Sequence, residues 1–445
     1  MVKSSADKRK WLTETAVPEL ILRLSVPTII SMLVTGIYNT ADTYFVGRIS
    51  TEATAAVGIA FPVMAIIQAI GFFFGHGSGN YLARMMGAGK QKEASEMAST
   101  GFAAAVLTGC LTALLGIVFI RPLAAVMGAT ENSLQDSMAY MRIILLGAPF
   151  MMGQFVINNQ LRFQGSAVYA MVGLMFGAVM NVVLDPLLIL VFHMGVSGAA
   201  CATIAGQISS FCVLLIGSGK GGNIRLSPKN VHINLYYMKE VANGGAPSLF
   251  RQGLAAVSTM LLNNQAGQLG DDAAIAGMSV ATRMMLLLCS ALIGFGQGYQ
   301  PVCSYNFGAG LTERVKEGYR FCVKWGMVFL AILAVICFVF APDIVWLFRK
   351  DEAVVAVGKV ALRWQACVLP LSAPIVISNM MLQSMGKGVK ATIAASARNG
   401  IFFIPLILIL PAFLGLKGVE MTQAVSDVLT LAVTLPLAMS EYKKM

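Results

Sequence analysis

Charged residues are scarce in this sequence. Asp, Glu, Lys and Arg make up only 12 % of its 445 residues, and 57 % are hydrophobic. An ordinary soluble domain carries about 25 % charge. A chain so short of charge cannot cover itself with polar side chains, which excludes a soluble globule and a disordered protein. Histidine is rarer still: His76, His193 and His232 lie far apart, so metal coordination by histidine is not expected. None of the eight cysteines shows Cys-x-x-Cys spacing, which argues against structural zinc and a disulfide framework. No Gly-x-x-x-x-Gly-Lys-Ser/Thr phosphate loop occurs, and Gly87-Ala88-Gly89-Lys90 lacks its spacing, so ATP-driven transport by this chain alone is not expected. His-Glu-x-x-His and Gly-x-Ser-x-Gly are missing too, and no enzymatic activity is expected. The first twenty residues hold no long apolar run, so no signal peptide is expected and the first apolar segment should stay in the protein.

What is present is a series of long apolar runs. At roughly 20 residues per membrane span there is room for about ten to thirteen. Polar and glycine-rich breaks place twelve, at residues 20–46, 54–79, 96–120, 135–159, 166–191, 196–217, 240–267, 273–300, 318–341, 357–382, 390–414 and 418–440. The expected fold is an all-α polytopic membrane protein. With both termini inside, twenty Lys and Arg fall in inner segments and five (Arg48, Arg121, Arg349, Lys350 and Lys417) in outer connections. That asymmetry predicts that both termini lie on the cytoplasmic side. It also accounts for the net charge of +11 without nucleic acid as a partner.

The chain repeats itself. Gly75-x-Gly77 with Gly87-Ala88-Gly89 recurs as Gly296-x-Gly298 with Gly308-Ala309-Gly310, 221 residues later. The same shift carries Asn158 to Asn379 and Gly165 to Gly386, and a shift of 220 carries Pro27 to Pro247. Two six-helix lobes follow, residues 1–217 and 240–445, joined by a basic cytoplasmic linker at 218–239. Six is even, so the lobes share one orientation and are related by a pseudo-two-fold axis along the membrane normal. Rocking of such halves about a central site gives alternating access.

Three Asp lie well inside apolar segments, where an acid costs about 2.5–3.5 kcal/mol. They are Asp42 in segment 1, Asp185 in segment 5 and Asp427 in segment 12. Asn39 and Asn181 precede the first two by one helical turn, on the same face. Counting along segment 6 puts Thr203 at their depth. Oxygen ligands of this kind suit a hard cation such as sodium, so Na⁺ can sit at Asp42, Asn181, Asp185 and Thr203. Two adjacent carboxylates also cannot both ionise cheaply, so a proton is the other occupant. The plainer reading is that Asp42 caps a neighbouring helix and Asp185 merely precedes a proline. Asp427 can pair with Arg283 or Arg398, both deep in apolar surroundings. Among 27 methionines, Met64, Met151, Met284 and Met285, with Phe150 and Arg283, are candidates for an adaptable substrate cavity. Pro27 can bend segment 1 with the state of the Asp42 site, or kink it statically.

Two six-helix halves, the inner Gly-Ala-Gly loops, Pro27, Asp42 and Asn181-x-x-x-Asp185-Pro186 together resemble the multidrug and toxic compound extrusion (MATE) family over nearly the whole chain. The likeness is to the prokaryotic DinF-type branch with its MepA-like exporters. It implies that Asp42, Asn181, Asp185 and Thr203 form a cation or proton site, and that Tyr140 in segment 4 takes part. The acids that NorM-type relatives carry in segments 7 and 10 are missing: Asn263, Asn264 and Gln265, and Gln365, Asn379 and Gln383, are what those segments offer. The resemblance implies a monomer exporting amphipathic, often cationic, compounds against Na⁺ or H⁺, with no other cofactor. The alternatives are a lipid-linked precursor flippase, for which Arg283, Arg363 and Arg398 are the available cavity cations, and an uncoupled channel or scaffold.

Overall fold

The computed structural model describes the backbone of residues 5–46, 51–129, 131 and 133–445, and the side chains of 7–35, 56–129, 131 and 133–445. Among the described residues there is no strand. A short helix, α1 (Ser5–Glu14), precedes α2 (Val17–Val46), α3 (Thr51–Gly87), α4 (Gln91–Val118), the short α5 (Ile120–Val126), α6 (Leu134–Phe163), α7 (Ala167–Pro186) and α8 (Gly195–Ser218). There follow α9 (Leu235–Leu269), α10 (Asp272–Gly308), α11 (Thr312–Val339), the short α12 (Ala341–Phe348), α13 (Glu352–Val368), α14 (Ser372–Ser384), α15 (Gly388–Ser396), α16 (Phe403–Leu414) and α17 (Leu416–Tyr442). A π turn, Leu187–Val191, continues α7, and another, Ala397–Ile401, joins α15 to α16. Counted as continuous spans among the described residues, eleven helices are long and apolar enough to cross a membrane. The twelfth long helix, α9, carries Arg251, Gln252, Asn263 and Asn264, which lower its hydropathy.

Packing divides the chain into two compact units. The first comprises Met1–Thr15, Val26–Gly245 and Ser304–Gly310; the second comprises Ala16–Ser25, Ala246–Cys303 and Leu311–Met445. Each unit therefore takes a short piece from the sequence of the other half. In the first, the core is built around Ile67, Tyr140, Ile144, Met152 and Val156. In the second, one cluster gathers Leu262, Met278, Val345 and Phe403, and another Leu292, Leu330 and Leu369. Large apolar side chains such as Leu114 and Val118 on α4, and Ile332 and Val335 on α11, stay exposed. Bands of this kind suit a lipid environment, where they displace no water.

The repeat is visible in contacts as well as letters. The Asn158 side-chain amide donates to the Ala170 carbonyl (3.1 Å), and Asn379 donates to Ala391 (2.6 Å), with each partner 221 residues further on. Helices α3, α6, α10 and α14 end at glycines in the left-handed region: Gly89 and Gly310 at φ 78° and 75°, Gly165 and Gly386 at φ 78° and 76°. Past α3, the Lys90 amide reaches the Met85 carbonyl and the Gly89 amide reaches Met86. This pairing satisfies the orphan carbonyls of a helix end and needs a residue with positive φ.

The Gly-x-Gly pairs lie inside their helices: α3 and α10 run on to Gly87 and Gly308, past the expected ends at 79 and 300, and these glycines serve close approach. A Cβ on Gly77 would lie 2.3 Å from the Val241 carbonyl oxygen, and one on Gly298 would lie 2.1 Å from the Ser25 hydroxyl. At their far ends, a Cβ on Gly87 would meet the Tyr305 carbonyl oxygen at 2.1 Å, and one on Gly308 would meet that of Arg84 at 2.0 Å. Backbone cannot yield as a side chain can. Gly87→Ala and Gly308→Ala are therefore expected to cost about 1–3 kcal/mol each. Gly58→Ala on α3, with nothing within 4 Å, should be neutral or slightly stabilising. Melting temperatures of the three variants check this ordering.

The linker is pinned to the first unit. The Ser227 and His232 amides donate to the hydroxyls of Ser99 (3.1 Å) and Thr100 (2.9 Å), and the Asn230 side chain donates to Ser95 (2.7 Å). Lys8 of α1, only 2 % exposed, donates to Ser166 (3.0 Å) and to Asn223 of the linker. Desolvation lowers the Lys8 ammonium from the usual 10.5 to about 7. Released from its pocket, Lys8 binds a proton between these two values that docked Lys8 does not. Docking of α1 should therefore strengthen as pH rises from 7 towards 10.5. Hydrogen-exchange protection of α1, corrected for intrinsic rates, is expected to rise between pH 7 and 9 in the native chain and to stay flat in Lys8→Met.

Candidate coupling site and transport cavity

Helices α7 and α8 are joined by a short turn and run antiparallel. They cross closely because both are glycine there. A Cβ on Gly177 would lie 2.7 Å from the Gly206 carbonyl oxygen, and one on Gly206 would lie 3.1 Å from the Asn181 Cβ. Asn181 is thus seated on α8 at Gly206. Asp185 follows Asn181 by one turn of α7, and Thr203 precedes Gly206 by about one turn of α8. Asn181, Asp185 and Thr203 are all buried, at 3 %, 0 % and 4 % exposure. The Asn181 amide and the Thr203 hydroxyl make no hydrogen bond among the described residues. The Gln207 amide oxygen and the Ser210 hydroxyl, further along the same face of α8, also lack partners there. Buried polar atoms are seldom left so in proteins. Amide and hydroxyl oxygens are the kind of ligand a hard cation takes.

Sequence reasoning had not singled out Gln207 and Ser210. Their one signal is helical spacing from Thr203. The backbone adds a second feature: after Pro186 the chain enters the π turn, in which the Phe192 amide reaches the Leu187 carbonyl (3.0 Å). Such turns concentrate at functional positions in helices. Asn39 and Asp42 belong to α2, but their side chains lie outside the described residues. Tyr140 of α6 is fully buried and donates to the Met64 sulfur of α3 at 3.9 Å. Pro27 lies inside α2, which continues unbroken through it.

The second unit encloses a cavity of about 490 Å³. The polar face of α9 lines it with Arg251, Gln252, Ser258 and Thr259; opposite stand Arg398 of the second π turn and Asp427 of α17. Arg398 and Asp427 form a two-pronged ion pair, Nε to Oδ1 at 2.8 Å and Nη2 to Oδ2 at 2.9 Å. Gln423 donates to the same carboxylate at 2.8 Å. Ser426 and Ser258 donate to the carbonyls of Arg398 and Asn399, backbone acceptors within the π turn. Of the two partners open to Asp427 from sequence, the structure pairs it with Arg398; Arg283 is exposed and does not line the cavity. Met285 lines it, and Met284 packs between the two apolar clusters of this unit. Met64, Phe150 and Met151 belong to the first unit: Met151 is buried in its core, and Phe150 is 40 % exposed with its ring edge-on to Phe211. Sequence reasoning overlooked Arg251, the half-buried arginine of a segment read for its lack of acids.

The MatE family model matches residues 27–187 and again 247–409, starts that differ by the same 220 residues as the internal repeat. This chain belongs to the MatE family. It is 26 % identical over 419 residues to multidrug export protein MepA of Staphylococcus haemolyticus, covering 94 % of this chain and 92 % of that one. MepA of Staphylococcus aureus strain MRSA252 is 26 % identical over 423 residues, with the same coverage. Among solved structures, an outward-facing conformation of a multidrug resistance MATE family transporter of the MOP superfamily superposes with a TM-score of 0.90 at 25 % identity, covering 98 % of both chains. A MATE in the straight conformation superposes at 0.91, also at 25 % identity, over 98 % of this chain and 99 % of that one. The twelve-helix, two-lobed membrane architecture is thereby that of the family.

Proposed function

We propose that this protein is a secondary active antiporter, exporting amphipathic and often cationic organic compounds in exchange for Na⁺ or H⁺ by alternating access. One observation carries the reading. Beside the α7–α8 crossing Asn181, Asp185 and Thr203 are all buried, and the Asn181 amide and the Thr203 hydroxyl find no hydrogen bond among the described residues. A charged and polar layer inside a membrane span is costly and calls for an ion or proton to compensate it. Asp42, one face of α2 with Asn39, supplies the second carboxylate in this reading. Membership of a family whose relatives include multidrug exporters supplies the direction and the kind of cargo. The protein sits as a monomer in the plasma membrane with both termini cytoplasmic, as the distribution of Lys and Arg supports.

The test is efflux of a fluorescent organic cation from reconstituted vesicles, under a sodium gradient and a proton gradient imposed separately. Efflux driven by one gradient, and abolished when it is collapsed, is the expected result and names the ion. Efflux that ignores both gradients would reduce the protein to a channel.

A further inference from the structure

The cavity of the second unit has an unbalanced charge. Among the described residues its charged lining consists of Arg251, Arg398 and Asp427. Asp427 is closed off: its two oxygens already accept from both prongs of Arg398 and from Gln423. Among the described residues Arg251 has no such partner. Its contacts there are neutral and long, Nη1 to the Asn379 amide oxygen at 3.3 Å and Nη2 to the Ser248 hydroxyl at 3.5 Å, and no described carboxylate lies within 4.0 Å. A guanidinium does not lose its proton in proteins. The cavity therefore presents one permanent, uncompensated positive charge among apolar side chains such as Leu262, Met285 and Ile375.

We propose that this cavity binds an amphipathic organic anion, its carboxylate or phosphate on the Arg251 guanidinium and its apolar body along α9 and α10. The planar fork of an arginine matches both headgroups through paired hydrogen bonds. The Asn379 and Ser248 contacts hold the fork without cancelling its charge. An organic cation in the same place meets a like charge at low dielectric, with no free carboxylate to offset it. The volume suits a drug-sized molecule. The inference rests on the export reading only for why a cargo cavity is there.

The probe is 11-(dansylamino)undecanoic acid, compared with a trimethylammonium probe of the same dansyl-undecyl body. Binding is measured by fluorescence on the full chain in phosphatidylcholine nanodiscs. On the native chain the acid should bind about tenfold or more tightly than the ammonium. Arg251→Gln should erase that preference by weakening the acid alone, and Arg251→Lys should keep part of it. Equal affinities for the two probes on the native chain overturn the proposal, whether or not any variant folds; so does acid binding unchanged in Arg251→Gln. Decanoate as competitor should displace the probe and inorganic phosphate should not. Displacement by phosphate at equal concentration would mean a free-anion site and contradict the amphipathic ligand. No gradient enters this assay, so failure of ion coupling leaves its outcome untouched, and gradient-driven efflux of cations without acid binding defeats this inference alone.

Discussion

Asp185→Asn is expected to abolish gradient-driven efflux while leaving substrate binding and folding nearly unchanged. The substitution keeps the shape of the side chain and removes only its charge and proton. Asp185 is fully buried beside the α7–α8 crossing, with Asn181 one turn away on the same helix. Asparagine in its place still offers an oxygen, but a cation loses the charged ligand that offsets its dehydration. A proton loses its site altogether. We expect the coupled rate to fall by about a hundredfold or more, equivalent to roughly 2.7 kcal/mol. Asp42→Asn should behave alike, and Asn181→Ala and Thr203→Val should weaken ion dependence without abolishing transport. Unchanged gradient-driven efflux in both aspartate variants would remove the site from the account.

The second large effect is on stability. Breaking a fully buried ion pair typically costs about 3–5 kcal/mol; removing Asp427 leaves Arg398, whose side chain is 25 % exposed, without its counter-charge, so the cost is expected to reach up to that range. Asp427→Ala should therefore lower the melting temperature sharply. The double substitution Arg398→Met/Asp427→Met should recover most of it, because an apolar pair of similar volume avoids desolvating two charges. The charge swap Arg398→Asp/Asp427→Arg should recover part, and Arg283→Asp should not rescue Asp427→Arg. A double variant no more stable than Asp427→Ala would show that the ion pair does not hold α17 to the π turn.

The spans were legible because a membrane helix needs about 20 apolar residues and the polar breaks between them are sharp. Most observed boundaries fall within a few residues of the expected ones. The two largest exceptions, the ends of α3 and α10, share a cause. Glycine in sequence is ambiguous between a helix end and a close crossing, and the Gly-x-Gly pairs of α3 and α10 are the second kind, as Val241 and Ser25 seated against them demonstrate. The short helices α1, α5 and α12 were not anticipated, since none is long enough to show a period of its own. Nor was the exchange of Ala16–Ser25 and Ser304–Gly310 between units, which depends on three-dimensional packing.

For the site, depth along a helix follows from counting, and that is how Asn181, Asp185 and Thr203 come to be grouped; each is buried. Facing direction is harder to count where the helical period changes. The π turn at Ala397–Ile401 carries Arg398, and Ser258 and Ser426 hydrogen-bond its backbone carbonyls. Arg251 escaped notice for a different reason. An arginine in a span is read as expensive and in need of an acid, and segment 7 offers none. Only the cavity explains how it is tolerated.

The central claim is that the buried layer between α7 and α8 binds the coupling cation. Equilibrium binding to the purified protein tests it most directly: ²²Na⁺ uptake, with proton uptake or release followed in the same unbuffered samples. The account predicts that the native chain binds Na⁺ or exchanges a proton in that assay, and that the same event is missing in Asp185→Asn although that variant melts like the native protein. Full cation binding retained in Asp185→Asn and in Asp42→Asn alike would contradict it.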